Sequence, residues 1–301
     1  MKYSNVILLI VGITIVSCSG KKQHQQPSKL PGITGIIGHI DQFKSKYVDA
    51  RNIDIWLPPG YSENDTTRYD VIYAQDGQNL FDPKKSFTGI DWGLDETMTQ
   101  LIDSNKIHPA IIVGIWNTPK RVQEYMPRKP LGQPYNNERF LGFVSQYGGQ
   151  PLSDDYLKFM VDELKPYIDK HYHTLTGPSH TFIMGSSMGG LIALYAISEY
   201  PDIFGGAICM STHWPIANGV TAGYVKDHLP SPQNHKLYFD YGTETLDAQY
   251  EQYQTIVDDM VKQAGYEYGI NWVTRKFQGA DHSERSWRKR VHFPLTFLLD
   301  N

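Results

Sequence analysis

Residues 184–190 read Met-Gly-Ser-Ser-Met-Gly-Gly and contain the pattern G-x-S-x-G as Gly185-Ser186-Ser187-Met188-Gly189. Before it, residues 180–184 (His-Thr-Phe-Ile-Met) read as a short buried strand. After it, residues 191–197 (Leu-Ile-Ala-Leu-Tyr-Ala-Ile) read as a packed helix. Strand, glycine turn and helix in that order predict a nucleophile elbow, which holds Ser187 in a strained conformation with its hydroxyl exposed. Glycine at 185 and 189 removes the Cβ atoms that would keep strand and helix apart. The helix N-terminus then points its amide N–H groups at the reacting centre.

Outward from the elbow, apolar runs alternate with helical patterns. Residues 47–57 alternate as a strand and end at Pro58-Pro59-Gly60, a turn signal. Residues 69–74 give a second strand, and residues 110–115 a continuous apolar run suited to burial on both faces. Helical character lies between them at 94–105. Ser153 is placed to cap a helix bearing Leu157, Met160, Val161, Leu164 and Ile168 on one stripe, which Pro166 should kink or break. Strands follow at 206–210, 236–240 and 270–276, with a helix from Tyr250 that stops at Gly265. Residues 285–299 read as a terminal helical region interrupted by Pro294, and 122–150 as a long loop able to serve as a lid. Such alternation implies a mostly parallel sheet with helices on both faces.

The chain has 301 residues, 40% hydrophobic, with a net charge of −4. That balance argues against a nucleic-acid surface, which needs a basic patch. Lys2, the apolar run 6–16 and Ile15-Val16-Ser17-Cys18 resemble a bacterial signal peptide ending in a lipobox, with Cys18 as the lipidated residue. The apolar run is short for a bilayer span. Residues 1–18 are thus read as signal peptide, 19–32 as a flexible tether and 33–301 as one domain. The expected location is extracytoplasmic, as a lipid-anchored protein facing the periplasm or the cell surface. Cys209, the only other cysteine, sits in an apolar run and reads as a core thiol.

A serine hydroxyl needs a base to take its proton. Of eleven histidines, His282 lies in Gly-Ala-Asp-His-Ser (279–283), directly after the last strand. That is the carboxyl end of the sheet, where open α/β sheets form their ligand sites. His213 also follows a strand and is read, with Trp214, as lining the pocket. The base needs a carboxylate to set its tautomer, and the order serine, acid, histidine puts that acid between 187 and 282. Asp247 is preferred because it opens the next helix. Glu244, on the same loop, is the alternative, and Asp240 reads as still within its strand. Oxyanion donors are assigned to the amides of Met188 and Gln78. Gln78 lies on the loop 75–81, where Gly77 lets the chain bend inward, and Gly77 and Asn79 are read as pocket residues. No histidine–cysteine set at ligand spacing and no phosphate-binding glycine loop is present, so neither metal nor cofactor is expected.

With those residues in place, the chain resembles the esterase branch of the α/β-hydrolases. That group includes esterase D, enterochelin esterases, mycolyltransferases, and the feruloyl and acetylxylan esterases of carbohydrate esterase family 1. The resemblance covers roughly residues 45–300 and rests on YAQDGQNLF (73–81), MGSSMGG (184–190), YFDYGTETLD (238–247) and GADHSERSW (279–287). It implies an α/β-hydrolase fold and a triad on Ser187, Asp247 or Glu244, and His282. Residues 121–127 also resemble an active-site-edge segment. The acid loop is longer than the G-T-N-D form of feruloyl esterases, so the acid stays open between the two carboxylates.

Three functions follow as expectations. The first is a serine ester hydrolase acting on acyl groups of extracytoplasmic carbohydrate or related esters. The second is a siderophore lactone esterase, which cationic pocket residues would favour. The third is a surface binding protein on an inactive hydrolase scaffold. The expected partners are a small-molecule or carbohydrate ester and a membrane reached only through the lipid anchor.

Overall fold

The computed structural model describes residues 24–64 and 66–300. Its strands are β1 (His24–Ser28), β2 (Ile36–Phe43), β3 (Arg51–Leu57), β4 (Asp70–Gln75), β5 (Ala110–Ile115), β6 (Thr181–Ser186), β7 (Gly206–Met210), β8 (Lys236–Gly242) and β9 (Trp272–Phe277). They form one sheet in the order β1-β2-β3-β5-β4-β6-β7-β8-β9. β1 to β3 pair antiparallel, as does β3 with β5, and the pairs from β5 through to β9 are parallel.

Side chains alternate across the central strands, so the sheet separates two cores. Tyr73, Val113, Ile183, Cys209 and Phe239 face one core; Ile72, Ile112, Met184, Ile208 and Tyr238 face the other. The helices divide accordingly. Helix α1 (Leu94–Asp103) packs Leu94, Met98 and Leu101 into the second core. Helices α2 (Arg121–Tyr125), α3 (Glu138–Tyr147), α4 (Ser153–Lys158), α5 (Lys165–His171), α6 (Met188–Glu199), α7 (Val220–His228) and α8 (Glu251–Gln263) pack on the first. Helices α9 (Glu284–Arg290) and α10 (His292–Leu299) return to the second, through Trp287, Leu295 and Leu298. Helix α6 is buried from Met188 to Ile197, which is why its sequence is apolar all round rather than striped.

From β4 the chain goes to β5 on one side and then crosses to β6 on the other. The carboxyl ends of β4 and β6 therefore flank a topological switch point, where such sheets open a crevice. Ser187 follows β6 there, and Asp76 follows β4.

Several expectations are corrected. The stretch 122–150 is not a loop: it holds part of α2, a 3-10 turn at Lys129–Leu131 and α3. Asn137 caps α3 by accepting from the Phe140 N–H at 3.0 Å, and Phe140 and Phe143 bury its inner face. Ser153 opens α4 but does not cap it; its hydroxyl accepts from the Arg128 N–H at 3.0 Å. Pro166 does not break its helix. Residues Phe159–Leu164 wind as a π-helix just before it, and that wider turn absorbs the missing N–H and the ring. The terminal helices part at Val291, so Pro294 lies in the first turn of α10, where its nitrogen needs no partner. β2 had no counterpart in the sequence reading, and β1 falls within the segment read as a tether. Cys209 is a fully buried core thiol. Cys18 and the rest of the leader lie outside the described residues.

Candidate active site

The elbow has the geometry its sequence demands. Ser187 sits at φ 58°, ψ −122°, a conformation that costs a non-glycine residue roughly 1–3 kcal/mol. A Cβ on Gly185 would stand 2.5 Å from the Gly189 carbonyl carbon, so β6 and α6 approach this closely only with glycine at 185. The His213 N–H donates to the Ser187 carbonyl at 3.1 Å and helps hold the strained turn.

Asp247 lies in a 3-10 turn, Thr245–Gln249, rather than in α8. It is 1% exposed. Its Oδ1 is 2.5 Å from His282 Nδ1. Its Oδ2 accepts from Ser211 Oγ at 2.5 Å and from the Gly242 N–H at 2.6 Å. Burial alone would raise this carboxyl. The hydrogen bonds from His282, Ser211 and Gly242 outweigh burial and hold it below the usual carboxylate range. With Nδ1 committed to Asp247, Nε2 is the imidazole nitrogen left to exchange a proton. The ring is boxed edge-on by Trp287 at 5.1 Å and Tyr250 at 5.7 Å.

Glu244, the alternative acid, is exposed. Its backbone explains why. The amides of Thr243 and Glu244 both donate to the Ala280 carbonyl at 3.0 Å. Thr243 Oγ1 accepts from the Gly279 N–H at 2.8 Å, and Thr245 Oγ1 from the His282 N–H at 2.9 Å. These bonds lace the loop carrying the acid to the loop carrying the histidine and direct Asp247 inward.

A cavity of about 500 Å³ opens at the switch point and is lined by Ser187, His282, Gln78, Asn79, Arg121 and Glu284, among others. A larger one, about 760 Å³, lies near the amino ends of β6 and β8 and holds none of the site residues. Gln78 is in the first turn of a short 3-10 helix (Gly77–Asn79), where leading amides lack intrahelical acceptors. Its side chain is fixed by the Asn117 N–H, donating to Oε1 at 3.2 Å. Met188 opens α6 beside the serine.

Three pocket assignments change. Trp214 does not line this cavity. It is 1% exposed, its indole N–H donates to Gln254 Oε1 at 3.1 Å, and it packs against Phe239. Gly77 does not line it either. A Cβ there would stand 2.4 Å from the Gly114 carbonyl carbon, so its smallness serves the contact with β5. His213 lines a neighbouring cavity of about 340 Å³ with Glu138 and Phe143. Its Nδ1 pairs with Tyr250 Oη at 2.7 Å. Burial first, and the nearby charges of His282 and Arg121 second, push it down to about 4, so it is neutral at neutral pH.

Residues beyond the assigned triad, oxyanion and pocket sets also build the site, among them Arg121 of the segment expected at its edge. Arg121 holds Asp76 in a two-point contact, Nε to Oδ1 at 2.7 Å and Nη2 to Oδ2 at 2.8 Å. Asn117 Nδ2 adds a bond to Asp76 Oδ1 at 2.6 Å. Together they brace the loop that presents Gln78. Behind Asp247, Ser211 Oγ accepts from Arg290 Nη2 at 2.6 Å and Trp287 Nε1 at 3.1 Å, and Arg290 Nη2 also reaches Asp240 Oδ1 at 2.9 Å. Trp287 and Arg290 stand three apart on α9, a helical spacing the sequence does contain. Among the described residues, Asp91, Asp95 and Glu96 form one carboxylate group at metal-ligand spacing. Arg288 already bonds Asp91 at 2.7 Å and Glu96 at 3.0 Å, and burial pushes Asp95 up to about 7.

The family model described as "Putative esterase" matches residues 46–297. The chain belongs to that esterase family. YbbA of Bacillus subtilis, an uncharacterized protein, is 24% identical over 194 residues, 64% of this chain and 68% of its own length. The endo-1,4-beta-xylanase/feruloyl esterase of Xylanibacter ruminicola is 24% identical over 200 residues, 62% of this chain but 22% of that relative. Among solved structures, the enterobactin esterase FES of Shigella flexneri superimposes with a TM-score of 0.63 at 20% identity, covering 90% of this chain and 60% of that one. The esterase is thus an α/β-hydrolase-like fold, and its membership supports ester hydrolysis as its reaction class.

Proposed function

We propose that the esterase cleaves carboxylic esters through a covalent acyl-enzyme on Ser187. The observation that carries this reading is the 2.5 Å contact between Asp247 and His282, whose ring lines a cavity that also holds a strained elbow serine. In the first half-reaction Ser187 Oγ attacks the ester carbonyl carbon while His282 Nε2 takes the hydroxyl proton. The carbonyl π bond opens onto oxygen, and the amides of Met188 and Gln78 receive the negative charge. The intermediate collapses, the bond to the alcohol oxygen breaks, and His282 returns its proton to that oxygen. Water then repeats the sequence on the acyl-enzyme, leaving free acid and Ser187. Asp247 holds the imidazole tautomer and stabilises the imidazolium that forms twice per cycle.

The proposed substrates are acyl groups on extracytoplasmic carbohydrate or related esters, reached by a lipoprotein anchored through Cys18. The xylanase/feruloyl esterase relative supports the carbohydrate side. A siderophore lactone is less well served. Among the described residues the cavity holds one guanidinium, Arg121, which is held by Asp76, and Glu284 adds a second carboxylate. An anionic catecholate would meet more negative than positive charge. A binding role without chemistry would leave the strain at Ser187 and the buried Asp247–His282 pair without purpose.

A fluorophosphonate probe is expected to label Ser187 and no other residue, as read by peptide mass spectrometry. Absence of labelling on folded protein would end the serine-hydrolase reading. For the anchor, Cys18→Ser is expected to move the mature protein from the membrane fraction to the soluble one. Wild-type protein that carries no lipid at Cys18 would contradict it.

A further inference from the structure

We propose that the esterase stands on the lipid bilayer with its Ser187 cavity turned toward the membrane, the loop 82–88 lying against the headgroups and Phe87 entering them. The proposal rests on the lipid anchor at Cys18 and adds the face that this anchor presents to the bilayer.

Strand directions fix where the chain enters the fold. Ile53, near the start of β3, pairs with Ile115 at the carboxyl end of β5. Ile53 also pairs with Ile40 on β2, and Ile40 pairs with His24, the first residue of β1. His24 therefore lies at the edge of the sheet, level with the carboxyl ends of the parallel strands. Ser187 and His282 stand at that same end, after β6 and β9. His24 is six residues after Cys18, a stretch of about 20 Å at full extension. An anchor so close holds the active-site end of the sheet near the lipid and leaves the opposite end farther away.

The loop 82–88 stands beside this entry point. Lys85 Nζ lies 5.5 Å from the centre of the Trp116 ring, and the Trp116 ring lies 6.0 Å from that of His39. His39 is paired with Gln25, the residue after His24. Two residues beyond Lys85, Phe87 is 89% exposed and lines the Ser187 cavity. The Phe87 N–H donates to Asn79 Oδ1 at 3.0 Å, and Ser86 Oγ donates to the Ile90 carbonyl at 2.6 Å. These bonds fix the loop backbone while the ring projects into water. Lys84 and Lys85 are exposed, and neither has a carboxylate partner among the described residues. An aromatic ring next to two unpaired lysines suits a membrane interface, where the ring reaches the acyl boundary and the ammonium groups meet phosphates. One exposed ring carries little by itself. Here a tether of limited length brings lipid to the same edge. Leu141 on α3 and Leu246, next to Asp247, add exposed apolar side chains around the site. Tyr268 and Ile270 are exposed as well, but they precede β9 at the amino end of the sheet, which the tether turns away from the bilayer. The cavity then opens onto the interface rather than onto bulk solvent.

The test uses the full lipidated chain in vesicles of phosphatidylethanolamine and phosphatidylglycerol. Phe87→Cys and, separately, Tyr268→Cys carry a nitrobenzoxadiazole label, whose emission reports a wet or an apolar surrounding. Cys209 is fully buried and does not compete for the label. At position 87 the emission is expected to shift to the blue and to fall by about half or more when the lipids are brominated near the top of their acyl chains. At position 268 neither change is expected. A label at 87 that stays as wet as the one at 268 overturns the proposal, and so does quenching confined to 268. Mass spectrometry of the same samples separates the two levels. No lipid on Cys18 removes the anchor and this proposal together, and a lipid on Cys18 with a wet label at 87 removes this proposal alone.

Discussion

Ser187→Ala is expected to reduce kcat by at least about 10⁴-fold, since removal of the serine of a comparable catalytic unit costs about 10⁶-fold. Of the two elbow hydroxyls, Ser187 is the one held in the strained turn on the proposed mechanism, and neither His282 nor Asp247 can form an acyl ester that the cavity would then hydrolyse in the same register. The fold should persist, because alanine occupies the same strained backbone well at φ 58°, ψ −122°. Ser187→Gly should be equally inactive yet more stable by about 1 kcal/mol, because glycine adopts that conformation without a Cβ penalty. Ser186→Ala should retain measurable turnover. Circular dichroism and thermal melts check the fold, and steady-state rates on a simple ester check the chemistry. Strong residual turnover in well-folded Ser187→Ala would remove the serine from the mechanism.

Asp247→Asn is expected to cost two decades or more in kcat/KM. In a serine protease the same change costs about 10⁴-fold, because the amide favours the wrong imidazole tautomer. Here the effect has a second source. Asp247 Oδ2 accepts from both Ser211 and Gly242, and Oδ1 faces His282. An amide NH₂ on either side puts donor against donor. Glu244→Gln should cost far less, since that side chain is exposed. The comparison is best made on both an activated aryl ester and a poor-leaving-group alkyl ester, because a good leaving group hides a weakened acid. A reversed ranking of the two variants would move the role to Glu244.

The elbow was readable because close packing imposes small residues at fixed offsets, and those offsets survive as letters. His282 was readable because a parallel sheet sends its ligand loops to one end. The choice between Asp247 and Glu244 was not, since it depends on which loop amides bond the Ala280 carbonyl, a tertiary fact. Trp214 misled because an aromatic beside a histidine looks like a pocket wall, whereas its indole is committed to Gln254 in the core. Helix α3 was hidden by the glycine, proline and asparagine around it, although Asn137 with Phe140 and Phe143 is a capped, half-apolar pattern. Arg121 and Asp76 are distant in the chain, and only the fold brings them to one loop.

The order of the parts along the chain has its own consequence. The strained serine and its glycines belong to β6 and α6, while the imidazole and the Trp287 and Arg290 that back the acid's hydroxyl partner come on α9 and just before it. During synthesis Ser187, the proposed nucleophile, therefore emerges long before His282, its proposed base. On the proposed mechanism, a chain that ends short of His282 lacks the base, and hydrolytic competence awaits the segment that also brings α9 and α10 onto the second core.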